Sequence, residues 1–356
     1  MKITGFEIES YQSETTPFRW RDGLVGGPGG KSRQSLLRVK TDAGIDGLVW
    51  MSHAGISADL VGRCFEPMFV GADPWMRERI WYEVWERDRI EEFPMYALGY
   101  LDVALWDILA KAAGVPAYQL LGGHKSRAKA YASTVTMETL DDYLRLADRC
   151  LQRGYRAIKL HVWGRIADDI RLVRKMRKHV GPDVELMLDG SAGYTLEESV
   201  RLGRAMEEED YLWLEEPMRE FNLLAYEKLC DTLDIAILGA ECTDGCHFNA
   251  AEWLRRGACD RLRTSWFYKG GLSGALKTAC VAESFQAQAD VHGCGYGSLH
   301  LICALPNSLY YESLAPEECL PDATLAGPIL PDQEGWVYPS QSPGLGWEPD
   351  PERRVG

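Results

Sequence analysis

Three short apolar runs, each closing on an acidic residue, decide the fold of this chain. They read Val184-Glu-Leu-Met-Leu-Asp189, Tyr211-Leu-Trp-Leu-Glu215 and Ile235-Ala-Ile-Leu-Gly-Ala-Glu241, so the three acids follow one another at steps of 26 residues. A strand, a helix and two short loops need about that length. Repetition of such a unit predicts parallel strands whose carboxyl ends lie together, which would bring the three carboxylates to one point.

The same unit recurs on both sides of this stretch. Strands are predicted at 128–135, 157–162, 184–189, 211–215, 235–241, 261–266, 287–292 and 309–312, and amphipathic helices such as 140–151 and 170–180 lie between most of them. Eight strands alternating with helices predict an α/β fold, a (β/α) barrel of the TIM type. A doubly wound open sheet is the alternative, but the glycine-rich phosphate loop typical of it does not follow Val135.

The rest of the chain predicts two further parts. Residues 1–125 begin with strand patterns, continue with a strongly apolar helix at 96–111 and end in the connector 120–125, which indicates an N-terminal α+β domain. Residues 126–325 form the barrel, and residues 326–356 are expected to return to the first domain. The segment 16–31 contains five glycines and no core pattern, so it is predicted to be a mobile loop.

Composition excludes several classes of function. Lysine and arginine (39) against aspartate and glutamate (53) give a net charge of −14, which argues against nucleic acid as a partner. The ten cysteines include no C-x-x-C pair and no zinc set, as expected of reduced thiols in a cytoplasmic protein. Neither a signal-peptide core at the N-terminus nor an apolar run of about 18 residues is present, so no membrane association is predicted.

Polar residues stand at the carboxyl ends of every predicted strand from the second to the eighth, where barrel enzymes hold their chemistry. They are Lys159, His161, Asp189, Ser191, Glu215, Glu241, Ser265, His292 and Glu312.

The three evenly spaced acids predict a metal site. Asp189, Glu215 and Glu241 offer only oxygen ligands, which hard cations prefer, so one Mg²⁺ per subunit is expected there. Lys159 and His161 are two residues apart in a strand and therefore face the same cavity. Either could act as a base, and a neighbouring cation could lower the pKa of the lysine towards neutrality.

The last two barrel strands predict the other side of the reaction. His292 could act on the opposite face of a substrate from the second strand, and a protonated Glu312 could donate a hydrogen bond to an oxyanion. Together with the metal ligands, these residues predict abstraction of a proton α to a carboxylate, which gives an enolate.

In these residues the chain resembles the enolase superfamily, and within it the mandelate racemase and muconate lactonizing enzyme group. Lys159-Leu-His161 resembles the Lys-x-Lys of the second barrel strand. Asp189, Glu215 in Trp213-Leu-Glu-Glu-Pro217, and Glu241 resemble the three magnesium ligands. His292 and Glu312 resemble the strand-seven histidine and the strand-eight glutamate. The resemblance spans the chain and implies an N-terminal capping domain, a modified barrel, a carboxylate substrate and a homo-oligomer.

Three departures from the family pattern bear on the chemistry. His161 replaces the second lysine and inherits the role of base, with Lys159 as its electrostatic partner. Ser265 stands where the aspartate of a His–Asp dyad is expected, which deprives His292 of an orienting partner. Ser191 replaces an asparagine. Lys269, just before the pair Gly270-Gly271, is expected to be a solvent-facing loop lysine rather than a catalytic one.

The leading hypothesis is a dehydratase that converts an aldonate or aldarate to a 2-keto-3-deoxy acid, a hydro-lyase. The alternatives are a racemase or epimerase of a 2-hydroxy acid, and a metal-binding barrel without catalysis. Substrate contacts are expected from Arg19 and Arg21 in the segment 16–31, from His53, from Ser265 and from Glu312. The sequence leaves the particular acid sugar open.

Overall fold

The computed structural model describes residues 1–21, 24–27, 29–51, 58–317, 320 and 323–355. His53, predicted to contact substrate, lies outside the described residues, and nothing below rests on it.

Fifteen strands are described, in chain order: β1 (Ile3–Thr15), β2 (Phe18–Trp20), β3 (Leu24–Gly27), β4 (Gly30–Thr41), β5 (Gly47–Met51), β6 (Ala128–Thr134), β7 (Ala157–His161), β8 (Glu185–Asp189), β9 (Trp213–Glu215), β10 (Ala236–Gly239), β11 (Arg261–Thr264), β12 (Gln288–Val291), β13 (Tyr310–Ala315), β14 (Trp336–Val337) and β15 (Arg354–Val355). The helices are α1 (Glu66–Phe69), α2 (Arg77–Glu91), α3 (Met95–Ala113), α4 (Ala117–Leu120), α5 (Leu140–Gln152), α6 (Ile166–Val180), α7 (Leu196–Glu208), α8 (Leu223–Thr232), α9 (Cys246–Arg255), α10 (Gly271–Ser284) and α11 (Tyr296–Ala304).

An antiparallel sheet in the order β15-β1-β4-β5 forms the N-terminal unit. Strands β1 and β4 pair from Ile3 opposite Thr41 to Thr15 opposite Gly30. The last strand, β15, pairs with β1 through Tyr11 and Arg354, so the C-terminal segment returns to this sheet.

The prediction of an irregular loop at 16–31 was wrong. Strands β2 and β3 form an antiparallel hairpin there, and β4 already begins at Gly30. Two of the five glycines that suggested a loop lie at the turn between β3 and β4, where Gly29 and Gly30 take positive φ values of 77° and 82°. Glycine adopts such values without the steric cost that other residues have.

Helix α3 joins the N-terminal unit to the barrel. Fourteen consecutive residues from Ala97 to Ala110 are buried, because the helix lies between β5 on one side and α10 on the other. A helix that is apolar all round is expected in such a position. It ends at Gly114, whose φ of 70° gives a left-handed C-cap.

The barrel consists of eight parallel strands, β6 to β13, with one of the helices α5 to α11 between each strand and the next. Strand β13 pairs with β6, so the ladder runs in the order β12-β11-β10-β9-β8-β7-β6-β13. Among the described residues no ladder joins β12 to β13, and the barrel is therefore nearly closed. The two-residue strand β14 adds to β6 in the antiparallel direction. The predicted fold class, a modified barrel with an N-terminal capping domain, is confirmed.

The inside of the barrel is layered. Its lower part is filled by a separate apolar cluster, formed by Tyr131, Ala157, Met187, Trp213, Leu238 and Tyr310. The next inward positions towards the carboxyl ends of the strands hold charged residues. Because inward residues of a strand alternate with outward ones, Lys159 follows Ala157, Asp189 follows Met187, and Glu215 follows Trp213. No described helix is long and apolar enough to cross a membrane.

Candidate active site

Four acids meet at the carboxyl ends of the barrel strands, and we call Asp189, Glu215, Glu241 and Glu312 the carboxylate cluster. The register of the parallel strands brings them together, since His161 lies beside Asp189 and Asp189 beside Glu215 on neighbouring strands. The cluster contains the three residues predicted as metal ligands and the predicted substrate ligand on β13.

Lys159 lies at the base of the cluster and is 1% exposed. Its Nζ is 2.8 Å from both Glu215 Oε2 and Glu312 Oε1, and 3.6 Å from Asp189 Oδ2. Burial lowers the pKa of Lys159, but the two glutamates outweigh it and raise the pKa well above its usual value. These contacts therefore raise the pKa of Lys159, in the direction opposite to the fall towards neutrality that was predicted beside a neighbouring cation.

His161 stands at the end of β7 with both ring nitrogens close to oxygen acceptors. Nε2 is 2.9 Å from Asp189 Oδ2, and Nδ1 is 2.6 Å from the Thr134 carbonyl oxygen. The carbonyl contact assigns a proton to Nδ1, which leaves Nε2 as the nitrogen that faces the cluster. The ring of Trp20 from the hairpin lies over it, with the ring centroids 3.9 Å apart.

His292 has the carboxylate partner that the sequence did not reveal. Its Nδ1 lies 2.8 Å from Glu241 Oε1 and 3.7 Å from Glu312 Oε2. Burial lowers the pKa of His292, but these two carboxylates raise it above its usual value overall. Ser265, at the position of the missing aspartate, instead accepts hydrogen bonds from the backbone of Phe267 and Tyr268 and shapes the turn after β11.

Arg263 on β11 is the site residue that the sequence reasoning missed. It is fully buried, with Nε 2.9 Å from Glu215 Oε1 and 3.3 Å from Glu241 Oε2, and Nη2 2.6 Å from Glu312 Oε2. A signal for it was present in the sequence. Arg263 is two residues before Ser265 in the same strand, so both were bound to face the barrel interior.

The cations set the ionisation of the cluster. Burial raises the pKa of Glu312, but Lys159 and Arg263 hold it well below its usual range. These contacts therefore favour the ionised form of Glu312 over the protonated hydrogen-bond donor that was predicted. Burial likewise raises the pKa of Asp189, but His161 and Lys159 lower it overall.

Glu216 supports the cluster from behind. Its Oε1 accepts a hydrogen bond from the backbone nitrogen of Glu241 at 2.7 Å. Burial, and then the charge of Glu241, raise its pKa well above the usual value. The backbone is strained on both sides of this contact, since Glu216 has a φ of 33° and Ala240 a φ of 72°. Such strain concentrates at functional sites, where the surroundings hold it in place.

The cluster suits a divalent cation in charge and in ligand type. Four carboxylates against Lys159 and Arg263 leave a net charge of −2 when both histidines are neutral. The Nε–H of Arg263 is directed at Glu241, so Glu215 Oε1 is buried without a hydrogen bond although Nε is near. A buried acceptor of this kind is costly unless another partner reaches it. In the described residues, however, no three acidic, histidine or cysteine side chains already converge on one metal position.

A cavity of about 720 Å³ opens beside the cluster, between the N-terminal sheet and the barrel. His292 and Ser265 lie at its wall, and aromatic side chains line much of the remainder, among them Trp50, Trp266, Tyr296 and Trp347. Trp50 comes from β5 of the N-terminal sheet, so both parts of the chain shape the space next to His292.

The two arginines predicted to grasp a substrate anion lie on the hairpin at the barrel mouth. Arg19 is exposed, and its backbone carbonyl accepts a hydrogen bond from Thr136. Arg21 reaches further in, and its Nη1 donates to the carbonyl of Ala192, just after β8, at 3.2 Å. In the described contacts neither guanidinium touches the carboxylate cluster.

Lys269 is not the solvent-facing residue that was expected. It is 1% exposed, and its Nζ donates to the carbonyl and the hydroxyl oxygen of Thr243 at 2.8 and 3.0 Å. Burial lowers its pKa. The side chain therefore points into the protein from the loop after β11, towards the segment that follows β10.

Comparison with known proteins agrees with this architecture. Residues 142–353 match the family described as enolase C-terminal domain-like, and residues 25–122 match the N-terminal domain of mandelate racemase / muconate lactonizing enzymes. The chain therefore belongs to the enolase superfamily, in its mandelate racemase and muconate lactonizing enzyme group.

Individual relatives are dehydratases and cycloisomerases by name. The chain is 28% identical over 299 residues to an arabinonate dehydratase of Saccharolobus solfataricus, covering 81% of this chain and 79% of that one. It is 28% identical to a 3,6-anhydro-alpha-L-galactonate cycloisomerase of Streptomyces coelicolor, over 78% of this chain and 79% of that one. A solved D-glucarate dehydratase of Agrobacterium tumefaciens, complexed with magnesium, superposes with a TM-score of 0.92 at 31% identity over 100% of both chains.

Proposed function

We propose that this protein is a magnesium-dependent acid-sugar dehydratase. It removes the proton α to the carboxylate of an aldonate or aldarate and expels the β-hydroxyl as water, giving an enol that becomes a 2-keto-3-deoxy acid. The observation that carries the proposal is the pair His161 and His292. The two histidines come from strands three places apart around the barrel, and each contacts a different carboxylate of the cluster. The dehydratase names among the relatives support the reaction class.

Each residue then has a defined task. His161 takes the α proton through Nε2 once that nitrogen is deprotonated and has turned from Asp189 to the substrate, since Lys159 lies between two glutamates. His292 gives a proton to the departing hydroxyl from the other side of the cluster. Lys159 and Arg263 keep Glu312 ionised and in place. Arg21 could meet the far end of a substrate only by leaving the Ala192 carbonyl.

The same acids would hold the metal. Asp189, Glu215 and Glu241 supply oxygen ligands from three adjacent strand ends, and the unbonded Glu215 Oε1 is the observation that supports this assignment. When bound, magnesium would supply positive charge next to the carboxylate whose α proton is removed.

The test is a screen of aldonic and aldaric acids with the purified protein and Mg²⁺, read out as formation of a 2-keto acid. The proposal expects turnover of at least one member and none after chelation. A complete absence of turnover across a library of epimers would count against it.

Racemisation or epimerisation of a 2-hydroxy acid is the second candidate. The contact between His292 and Glu241 favours it, because a carboxylate partner can orient this histidine as a second base. The two reactions separate in D₂O. Racemisation exchanges the Cα proton without loss of water, whereas dehydration yields a 2-keto product.

A further inference from the structure

Arg263 occupies a place among the acids that a metal ligand set would be expected to keep free. Its guanidinium contacts three of the four carboxylates in the cluster, from β9, β13 and the segment after β10. The residue is 0% exposed, so these contacts are its compensation for the loss of water.

Two of those three acids, Glu215 and Glu241, are proposed metal ligands. Both oxygens of Glu241 already have a nitrogen partner, since Oε2 lies near Arg263 Nε and Oε1 near His292 Nδ1. Both oxygens of Glu215 lie near a cation, since Lys159 Nζ is close to Oε2 and Arg263 Nε is close to Oε1. Unlike lysine or histidine, an arginine keeps its charge at any ordinary pH. The cluster is therefore partly neutralised from within the protein before any divalent cation binds.

We propose that Arg263 is a positioning residue that competes with the divalent cation for Glu215 and Glu241 and so weakens metal binding. The inference rests on the proposed function, because it takes these acids as metal ligands. Arg263 Nε lies 2.9 Å from Glu215 and 3.3 Å from Glu241, so it offsets part of the negative charge that the cation would neutralise. Binding of the cation then requires both glutamates to exchange part of their contact with the guanidinium for contact with the metal.

The alternative is that Arg263 assists the metal by fixing the carboxylates in place. The two possibilities predict opposite effects of removing the charge. Competition predicts tighter metal binding in Arg263→Gln and a less stable metal-free protein, since four acids would then share Lys159 alone. Assistance predicts weaker metal binding.

The test is a direct titration of the full-length, metal-stripped protein with Mn²⁺, following free Mn²⁺ by electron paramagnetic resonance. We expect the Kd for Mn²⁺ to fall by about tenfold or more in Arg263→Gln. The melting temperature of the metal-free variant should fall, and its rise on addition of Mn²⁺ should exceed that of the wild type. Arg261→Gln is the matched control, because Arg261 lies on the same strand but pairs with Asp290 away from the cluster. Its Kd should equal the wild-type value.

Asp189→Asn, made in both backgrounds, locates the bound ion, since Arg263 does not touch this acid; the change should remove most of the Mn²⁺ binding. If Arg263→Gln does not fold, Arg263→Lys keeps the charge on a single ammonium that cannot bridge three carboxylates, and its Kd should lie below that of the wild type. An unchanged or higher Kd in the position-263 variants overturns the inference and leaves the proposed function standing. Absence of Mn²⁺ binding in every form, or binding that ignores Asp189→Asn, overturns both.

Discussion

At the scale of single residues, the site consists of acids and bases that neutralise one another. His161 and His292, the two groups proposed to move protons, each contact a different acid of the carboxylate cluster. The remaining charged residues hold this pair in position. The division of labour between the two histidines is therefore the most direct claim to test by substitution.

Replacement of His161 by asparagine should lower the rates of Cα proton exchange and of keto-acid formation by a factor of about 10²–10⁴, the usual contribution of a general base. His292→Asn should lose keto-acid formation to a similar extent but retain Cα exchange, since proton abstraction does not need the acid. Both are measured by NMR in D₂O. Loss of exchange in the His292 variant, with exchange retained in the His161 variant, would reverse the roles.

A second histidine prediction concerns stability. His300 is buried on α11, where Nδ1 accepts a hydrogen bond from the Tyr118 backbone at 3.1 Å, and burial lowers its pKa to about 4. Between pH 6.5 and 4, His300 binds a proton in the unfolded chain but stays neutral in the folded protein. The free energy of unfolding therefore falls as the pH is lowered. His300→Asn keeps an acceptor but cannot titrate. It should reduce that fall by about 3 kcal/mol.

Urea unfolding of both proteins at pH 7 and at pH 4.5 measures this difference. His179, whose ring is partly exposed and pairs with Asp148 on the surface, offers the control. Parallel curves for wild type and His300→Asn would contradict the prediction.

The sequence revealed these residues unevenly, for a physical reason. The acids and Lys159 could be predicted because each stands at the end of an apolar strand pattern. Arg263 could not be recognised as easily, since an arginine within a strand is usually a surface residue, and only its two-residue spacing from Ser265 placed it inward. The partner of His292 was hidden because Glu241 belongs to a different strand.

At the scale of elements, the hairpin of β2 and β3 covers one side of the site. The Trp20 ring lies against His161 with the ring planes tilted by 47°, and its Nε1 donates to the hydroxyl of Ser191 after β8 at 3.0 Å. The glycines of this segment predicted a loop, although β2 and β3 pair there as a two-stranded sheet of their own. Composition alone could not predict that a tryptophan from this segment would meet the second barrel strand.

Trp20→Ala should raise KM severalfold and lower kcat, because the covering ring shields His161 from water and limits its motion. Trp20→Phe keeps an aromatic ring against His161 and loses only the hydrogen bond to Ser191, so its kinetics should stay closer to those of the wild type. Steady-state rates on the acid sugar identified by the screen provide the measurement. Equal defects in the two variants would show that catalysis depends on the hydrogen bond to Ser191 rather than on the ring contact with His161.

At the scale of the whole molecule, the N-terminal unit is fastened to the barrel by a buried polar contact. Asp102 on α3 accepts hydrogen bonds from the backbone nitrogen and the hydroxyl of Ser273 on α10, and Arg77 lies 3.9 Å from its carboxylate. The sequence predicted α3 as a buried helix, but an aspartate inside it gave no indication of its partner. The contact joins the two parts that shape the cavity beside His292.

Asp102→Ala should lower the free energy of unfolding by about 2–4 kcal/mol, because it leaves the amide and hydroxyl of Ser273 buried without acceptors. Glu83→Ala removes a partly exposed i,i+4 pair with Arg79 on α2 and should cost less than about 0.5 kcal/mol. Denaturant titration of the three proteins gives both values. A loss no larger in Asp102→Ala than in Glu83→Ala would refute the role of this contact.

The central claim is that the carboxylate cluster and its two histidines remove the proton α to a carboxylate and expel the β-hydroxyl. The most direct test follows an acid-sugar library with Mg²⁺ in D₂O by NMR. We predict that the wild type forms a 2-keto-3-deoxy acid carrying deuterium at C3 and that His161→Asn does not. Unchanged substrates, with neither keto acid nor deuterium at Cα for any member of the library, would contradict it.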